Sequence, residues 1–324
     1  MALRRPSEPC LEHPVVLPDG AILLPKPKLP PAALPVRLKT SPVLRRRIPS
    51  GLVLARAEAK AARLWENHHP TREHALRTMA TVVAGTPREP ELEALAERFV
   101  TERQAWEALF WQPWPMPRIE PASVALLEKL RERDRGLIFS PCHWGPYFAK
   151  TTVLFQFGYL PHVVAGDWYF EEPTPDWWGR RHALWARKTP QLPITRPKGS
   201  FDTLARVLSD GGEVLIYFDL PGRHETNFLG KRAMLVDGTA RLAAETGALI
   251  VPIRTVREGV SQLLEVAPPL APDRIGGVEE IHEELARFHE AWILEDPAAM
   301  DDPAEFGWRE GATPAGWDRP AETR

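Results

Sequence analysis

One stretch of the sequence limits the fold more than any other. It is the segment at residues 136–148, which reads Gly-Leu-Ile-Phe-Ser-Pro-Cys-His-Trp-Gly-Pro-Tyr-Phe. Its apolar run at 137–139 lies between a charged segment and a proline, a pattern that predicts a buried strand of an α/β sheet. His143 follows the end of that strand, where open α/β sheets bind their ligands. Gly145 and Pro146 then predict a sharp turn and the start of a helix.

From residue 120 onward, apolar strand patterns alternate with helical patterns. The predicted strands are 136–140, 162–165, 213–219, 248–253 and 262–266, and the predicted helices are 120–130, 146–157, 176–188, 200–209, 238–246 and 275–294. Because strands that alternate with helices form sheets with mainly parallel pairing, the sequence predicts the α/β class with a central, mainly parallel sheet flanked by helices.

Changes in composition divide the chain into four parts. Residues 1–50 are rich in proline and predict an extended N-terminal arm. Residues 51–118 contain strong helix formers at helical spacing and predict a helical N-terminal layer. The α/β domain is expected at 119–310, followed by a flexible tail at 311–324.

Composition excludes some classes of protein. The 324 residues carry a formal net charge of −2, which gives no general attraction to nucleic acid or to anionic membranes, although a local basic patch remains open. The two cysteines, Cys10 and Cys142, are too few for a disulfide framework and favour a reducing cytoplasm. No window reaches the roughly 18 apolar residues of a membrane span, and the N-terminus lacks a leader pattern, so we expect a soluble protein.

Two predicted strand ends carry polar side chains, His143 and Asp219. If the two strands are near neighbours, both side chains open onto one crevice. A histidine there can act as a general base towards a hydroxyl or an amine, because its ordinary pKa is close to neutrality. The alternative is that His143 only caps the helix or bonds a backbone carbonyl. Cys142 is expected to pack into the core, since neighbouring residues of a strand point to opposite faces.

A basic and aromatic segment separates the two strand ends. Its residues are Trp168, Tyr169, Phe170, Trp177, Trp178, Arg180, Arg181, Trp185, Arg187, Lys188, Arg196 and Lys198. The cations could hold a phosphate or a pantetheine-bearing donor, and the aromatic rings could line an acyl groove or touch a membrane surface. The alternative is a solvated helix face. His68, His69 and His74 form a group without accompanying carboxylate or cysteine spacing, so no metal is expected.

Four sequence blocks follow one another in a familiar order. They are His-Trp-Gly-Pro-Tyr-Phe at 143–148, Arg-Pro-Lys at 196–198 with Leu-Ser-Asp-Gly-Gly-Glu-Val at 208–214 and Asp-Leu-Pro-Gly at 219–222, Phe-Leu-Gly-Lys-Arg-Ala at 228–233, and Gly-Thr-Ala-Arg-Leu-Ala at 238–243 with Thr-Gly-Ala-Leu-Ile-Val-Pro at 246–252. On these blocks, residues 120 to about 308 resemble the lysophospholipid acyltransferase superfamily. Within it, the blocks resemble the branch of the bacterial lipid A late acyltransferases and the mycobacterial phosphatidylinositol mannoside acyltransferases.

The resemblance implies a glycerolipid acyltransferase-like fold and transfer of an acyl group from acyl-carrier protein or acyl-CoA to a hydroxyl or an amine. It implies that His143 deprotonates the acceptor and that nearby residues bind the donor phosphate or an acceptor anion. The residues assigned to that binding are Trp144, Arg180, Arg181, Arg187, Arg196, Lys198, Arg223, Lys231 and Arg232. It calls for no cofactor besides the acyl donor and for no nucleic acid, and it is compatible with a peripheral membrane contact.

The chain departs from this family at two places. The family has a carboxylate five residues after the histidine, which orients the imidazole, and this chain has Phe148 there. Three explanations stay open: Asp219, or else Asp167, supplies the carboxylate; His143 works alone on an easier reaction such as aminolysis of a thioester; or the chain binds acyl groups or carrier proteins without catalysis. The second departure is a proline-rich arm in place of an N-terminal membrane helix, which favours a soluble acceptor.

Overall fold

The computed structural model describes residues 11, 13–110, 112, 118–146, 150–166, 177–188 and 191–301. Its helices are α1 (Leu34–Lys39), α2 (Pro42–Arg45), α3 (Ser50–Asn67), α4 (His69–Val83), α5 (Leu92–Phe110), α6 (Pro121–Leu130), α7 (Lys150–Gln156), α8 (Trp177–Lys188), α9 (Phe201–Ser209), α10 (Gly238–Thr246), α11 (Pro272–Ile275) and α12 (Val278–Glu295). Its strands are β1 (Val15–Val16), β2 (Ile22–Leu23), β3 (Arg118–Ile119), β4 (Leu137–Ser140), β5 (His162–Val164), β6 (Ile194–Thr195), β7 (Glu213–Leu215), β8 (Pro221–Phe228), β9 (Lys231–Leu235), β10 (Leu249–Glu258) and β11 (Ser261–Val266).

A mixed, mostly parallel sheet forms the centre of the described residues. The strand order is β1-β2-β6-β5-β7-β4-β10-β11-β3, and β8 with β9 forms a separate antiparallel hairpin. The run from β6 to β10 is parallel throughout, whereas β2 and β11 join it antiparallel on either side. With helices on both faces, this is the predicted α/β class.

The alternation of side chains along β4 divides the core into two clusters. Leu137 and Phe139 pack on one face with residues of α6 and α7, whereas Ile138 packs on the other with residues of α4, α5, α10 and α12. All three side chains are fully buried, as expected for a central parallel strand covered by helices on both faces.

The connections that follow β4 and β7 run in opposite directions along the sheet. The chain leaves β4 through α7 to reach β5, beyond β7, and it leaves β7 through β8, β9 and α10 to reach β10, beyond β4. Helices α7 and α10 contribute to different core clusters and therefore cover different faces. The carboxyl ends of β4 and β7 thus form the kind of switch point at which open α/β sheets have their binding crevice.

The N-terminal part is attached to this sheet at several places. Strand β2 pairs with β6 through Ile22 and Ile194, and β1 pairs with β2 on its other side, so that part of the predicted arm forms one edge of the sheet. Helices α3 and α4 both pack on α5, and Phe99 of α5 belongs to the same core cluster as Ile138. In the described part of the chain, no helix has both the length and the apolar composition needed to cross a bilayer. The predicted tail at 311–324 and residues 1–10 lie outside the described residues.

Several predicted elements differ in extent from those observed. The regular strand predicted at 213–219 ends at Leu215, and the helix predicted at 146–157 is described from Lys150. The long helix predicted at 275–294 is confirmed as α12, but it begins only at Val278, because Gly276, with a φ of 141°, and Gly277 separate Ile275 of α11 from it. No prediction was made for the hairpin of β8 and β9, which has a largely polar first strand that is only partly buried.

Candidate active site

His143 and Asp219 meet at the carboxyl ends of two neighbouring strands, β4 and β7. The Nδ1 atom of His143 lies 2.9 Å from Oδ1 of Asp219, and the backbone N–H of His143 donates to Oδ2 at 2.7 Å. Asp219 is fully buried, whereas the His143 side chain retains an exposed fraction of 11%. One carboxylate therefore holds both the ring and the main chain of the same histidine.

The hydrogen bond between the two side chains fixes which imidazole nitrogen carries the proton. A carboxylate only accepts hydrogen bonds, so Nδ1 is the N–H donor and the neutral ring has its lone pair on Nε2. The negative charge of the carboxylate also stabilises the imidazolium that forms when Nε2 takes up a proton. The pair is suited to general-base chemistry at Nε2.

Pairing between the two strands sets this geometry. Phe139 of β4 is in register with Leu215 of β7. Beyond the regular strands, Ile216 N–H donates to the Phe139 carbonyl at 3.1 Å and Phe218 N–H donates to the Pro141 carbonyl at 2.9 Å. These bonds carry the pairing onward until Asp219 stands beside His143.

The loop that carries His143 is also bonded to the segment after α12. Gly145 N–H donates to the Ala299 carbonyl at 2.8 Å, and Asp301 N–H donates to the His143 carbonyl at 2.8 Å. The indole N–H of the buried Trp144 donates to the Asp296 carbonyl at 2.8 Å. The loop of His143 is thus bonded to Asp219 on one side and to the segment after α12 on the other.

A second titratable group, Lys150, lies buried behind the dyad. The ring of Tyr217 stacks on His143 with centroids 4.1 Å apart, and Lys150 Nζ lies 5.7 Å from the centroid of the same tyrosine. Lys150 donates to the Cys142 carbonyl at 2.9 Å and is 1% exposed. This burial lowers the pKa of Lys150 to about 7, against the raising effect of Asp219.

Sequence reasoning did not identify Lys150 or Tyr217 as part of this site. Tyr217 was hidden in an apolar run, where an aromatic ring is ordinary core material.

Two more titratable residues near the dyad, Cys142 and His289, are buried. Cys142 is a free thiol in the core, as predicted, and burial raises its pKa well above the ordinary value, so it is a poor nucleophile. His289 of α12 lies 3.4 Å from the Ser140 hydroxyl and stacks on Phe218. Burial lowers the pKa of His289 to about 3, so that this ring is neutral at ordinary pH.

Five of the predicted binding cations are exposed, namely Arg187, Arg196, Lys198, Arg223 and Arg232. Arg196 and Lys198 follow the carboxyl end of β6, on the same edge of the sheet as the dyad and about 10 Å from β7 at the usual strand spacing. Arg223 lies in β8, which leaves that edge after Asp219, and Arg187 is exposed on α8.

Several predicted binding residues make structural contacts. Lys231 donates to the carbonyl oxygens of Ala80 and Thr81 near the end of α4, and Arg232 pairs with Glu225 across the hairpin. Arg180 and the Trp144 indole likewise donate to other parts of the protein. Their assignment to substrate binding stays a prediction without support from these contacts.

Several residues named above lie outside the described part of the protein. The structure does not describe any atom of five of them, which are Phe148, Asp167, Trp168, Tyr169 and Phe170. It describes the helical backbone but not the side chain of five others, which are Trp177, Trp178, Arg181, Trp185 and Lys188. The acyl groove predicted from these aromatic residues therefore stays a prediction.

Two depressions border the loop from the side of Trp144, and neither has His143 in its lining. The larger includes Trp144 and Arg257, and the smaller includes Cys142, Trp144 and His289. The described residues hold no group of three or more His, Cys, Asp or Glu side chains placed to bind a metal. Comparison with known proteins adds no family: no protein-family model matches this chain, and no curated protein sequence matches it significantly.

Proposed function

We propose that this protein is an acyltransferase that moves an acyl group from acyl-CoA or acyl-carrier protein to a hydroxyl or an amine of a soluble acceptor. The observation that carries the proposal is the hydrogen bond from His143 Nδ1 to Asp219, at the switch point of the sheet. It supports the explanation in which a carboxylate from another strand end acts in place of the one missing at Phe148. The proposal includes a glycerolipid acyltransferase-like arrangement of the domain.

In the proposed reaction, Nε2 of His143 removes the proton of the acceptor as its oxygen or nitrogen attacks the thioester carbon. The carbon–sulfur bond then breaks, the acyl group stays on the acceptor, and the imidazolium returns its proton to the leaving thiolate. Asp219 keeps Nδ1 protonated and stabilises the imidazolium between these steps. No cofactor besides the acyl donor takes part.

The exposed cations Arg196, Lys198 and Arg223 are our candidates for binding the donor. Acyl-CoA and the phosphopantetheine arm of a carrier protein both carry phosphate, which arginine binds through paired, charge-assisted hydrogen bonds. These side chains lie on segments that leave the sheet edge of the dyad. Their position favours a thioester whose phosphate is held at some distance from the reacting carbonyl.

The test is an incubation of the purified protein with a panel of acyl-CoA and acyl-carrier-protein donors and a metabolite extract. We expect a product whose mass exceeds that of an acceptor by one acyl group. His143→Ala should abolish this product, and Asp219→Asn should reduce its rate by roughly 10⁴-fold, as in other His–Asp pairs. Asp210→Asn, an exposed carboxamide variant at the end of α9, serves as the matched control.

Other results would assign a different function. Release of free fatty acid and thiol without any acceptor would identify a thioester hydrolase. Saturable donor binding without turnover would identify a binding protein. Acyl transfer that is unchanged in a folded His143→Ala variant would refute the mechanism, and circular dichroism with urea unfolding establishes that the variants fold.

A further inference from the structure

The N-terminal segment at residues 20–57, called here the basic segment, has an unusual charge. It contains Lys26, Lys28, Arg37, Lys39, Arg45, Arg46, Arg47 and Arg56, and it contains no aspartate or glutamate. Its formal charge of +8 leaves the rest of the chain at −10, since the whole carries −2. The protein therefore combines an acidic body with one strongly cationic strip.

The same segment exposes large aliphatic side chains. Eight such side chains are markedly exposed in the described residues, and five of them lie between positions 34 and 52. The five are Leu34 at 64%, Leu38 at 51%, Val43 at 64%, Leu44 at 40% and Leu52 at 46% exposure. Clustering of exposed apolar side chains in one short part of a chain indicates an interaction surface.

The basic segment is attached firmly to the body of the protein. Arg180 of α8 donates to the Thr40 hydroxyl and to the Pro30 carbonyl, both at 2.8 Å. Gln191 donates to the Leu24 carbonyl at 2.8 Å, and Val53 of α3 is buried. The exposed aliphatic side chains are thus presented outward from a surface whose inner side is packed.

We propose that this segment docks the protein on an anionic bilayer surface. Exposed leucines and valines enter the boundary between headgroups and acyl chains, while Arg37, Arg46 and Arg47 remain with the anionic headgroups. All three arginines are exposed, and no carboxylate within the segment opposes them. The proposal is independent of the acyl-transfer activity.

The shape of the surface favours a bilayer over a protein partner. Helix α1 has six residues and α2 has four, and the exposed side chains come from these two turns and the start of α3. A stable protein interface needs a complementary surface of about 800 Å² on each partner. A bilayer adapts to separate protruding side chains, and a basic residue near an anionic surface strengthens binding about fivefold.

The test uses the full chain and flotation of extruded vesicles. We expect binding to vesicles of phosphatidylcholine that contain roughly 30 mol% phosphatidylserine, which makes their surface anionic. Binding to vesicles of phosphatidylcholine alone should be weak, and binding to the anionic vesicles should decrease as the salt concentration is raised. The triple variant Arg37→Gln, Arg46→Gln, Arg47→Gln should bind about 100-fold more weakly. Leu34→Ser with Val43→Ser should also weaken binding, without any change of charge.

A matched control carries the same loss of charge elsewhere, in Arg206→Gln, Arg274→Gln and Arg287→Gln, all on exposed positions. This control should bind nearly as the unchanged protein does. The proposal is overturned by equal binding to neutral and anionic vesicles, or by equal loss of binding in the control. It is also overturned if the segment instead binds an acidic carrier protein or a second copy of the chain, detected by light scattering, while vesicles are not bound. Acyl-transfer assays without vesicles keep failure of this proposal separate from failure of the proposed function.

Discussion

At the scale of single residues, the site depends on groups whose chemistry and position could be predicted to different degrees. His143 and Asp219 were identified from the sequence because each is a polar residue directly after an apolar run. Their contact depends on strand order, which no local pattern contains. Lys150 was not identified, because its burial against the Cys142 carbonyl is created by the packing of α7 on the sheet.

Lys150 makes stability depend on pH. Its pKa is about 7 in the folded protein and 10.5 ordinarily, so between these values the unfolded chain binds more protons and the folded state gains stability as pH rises. We expect the free energy of unfolding in urea to increase by roughly 3 kcal/mol from pH 7 to 9.5. Above about pH 10, Tyr159 opposes the gain, because burial raises its pKa to about 12 in the folded protein.

Lys150→Met should remove most of this increase, because the thioether side chain does not titrate. Lys129→Met replaces an exposed lysine of α6 and should leave the pH dependence unchanged. If both variants show the slope of the unchanged protein, Lys150 is not the group responsible.

At the scale of elements, regular periodicity was a good guide and irregular backbone was a poor one. The strands β4, β10 and β11 were predicted from their apolar residues. A strand that is buried on one or both faces needs apolar side chains at those positions, and the sequence shows them directly. The first strand of the hairpin, β8, has a largely polar sequence and shows no apolar pattern that would predict it. The loop after β4 was predicted to turn at Gly145, but its attachment to the segment around Ala299 was not.

Gly145 tests how far the site depends on this loop. Its φ is +62°, and a Cβ atom there would lie 1.9 Å from the Thr255 carbonyl oxygen of β10. Gly145→Ala should therefore lower the free energy of unfolding by more than about 2 kcal/mol and should displace His143. The urea concentration at the midpoint of unfolding should fall, and so should the rate of the proposed acyl transfer.

Gly238→Ala is the matched control for that substitution. Nothing lies within 4 Å of the added Cβ, and the residue begins α10, where alanine has the better helix propensity by up to about 1 kcal/mol. The control should be as stable as the unchanged protein or more stable. A Gly145→Ala variant that is equally stable and active would show that the loop can shift at little cost.

At the scale of the whole molecule, α12 packs its buried histidines against the sheet. His282 meets the His224 ring edge-on and the Phe218 ring at a tilt, and His289, two turns further along the same helix, stacks on Phe218. No pattern in the sequence indicated that imidazoles would lie inside the core. Their burial follows from the helix face, which is visible only once α12 has a partner.

These histidines should make the protein sensitive to acid. Burial lowers the pKa of His282 to about 4, with a further lowering by His224 and a raising effect of Asp237, and it lowers the pKa of His289 to about 3. As pH falls below 6.5, the unfolded chain binds protons first and the folded state loses stability. Each histidine should remove roughly 2 kcal/mol between pH 6.5 and 5.

The measurement is urea unfolding at pH 6.5 and pH 5. His282→Leu should reduce the difference between the two values by about half of the histidine contribution, whereas His13→Leu, at an exposed position, should not change it. An unchanged difference in His282→Leu would assign the acid sensitivity to other groups.

The Asp219 carboxylate accepts hydrogen bonds from both the ring and the main chain of His143, and this has a consequence for when the pair can form during synthesis. In a motif whose histidine and acid are one helical turn apart, the base can form as soon as that turn does. Here the two residues are 76 positions apart and meet only when β7 has inserted between β5 and β4. A newly synthesised chain therefore cannot form this pair until residue 219 has emerged from the ribosome and β7 has taken its place in the sheet.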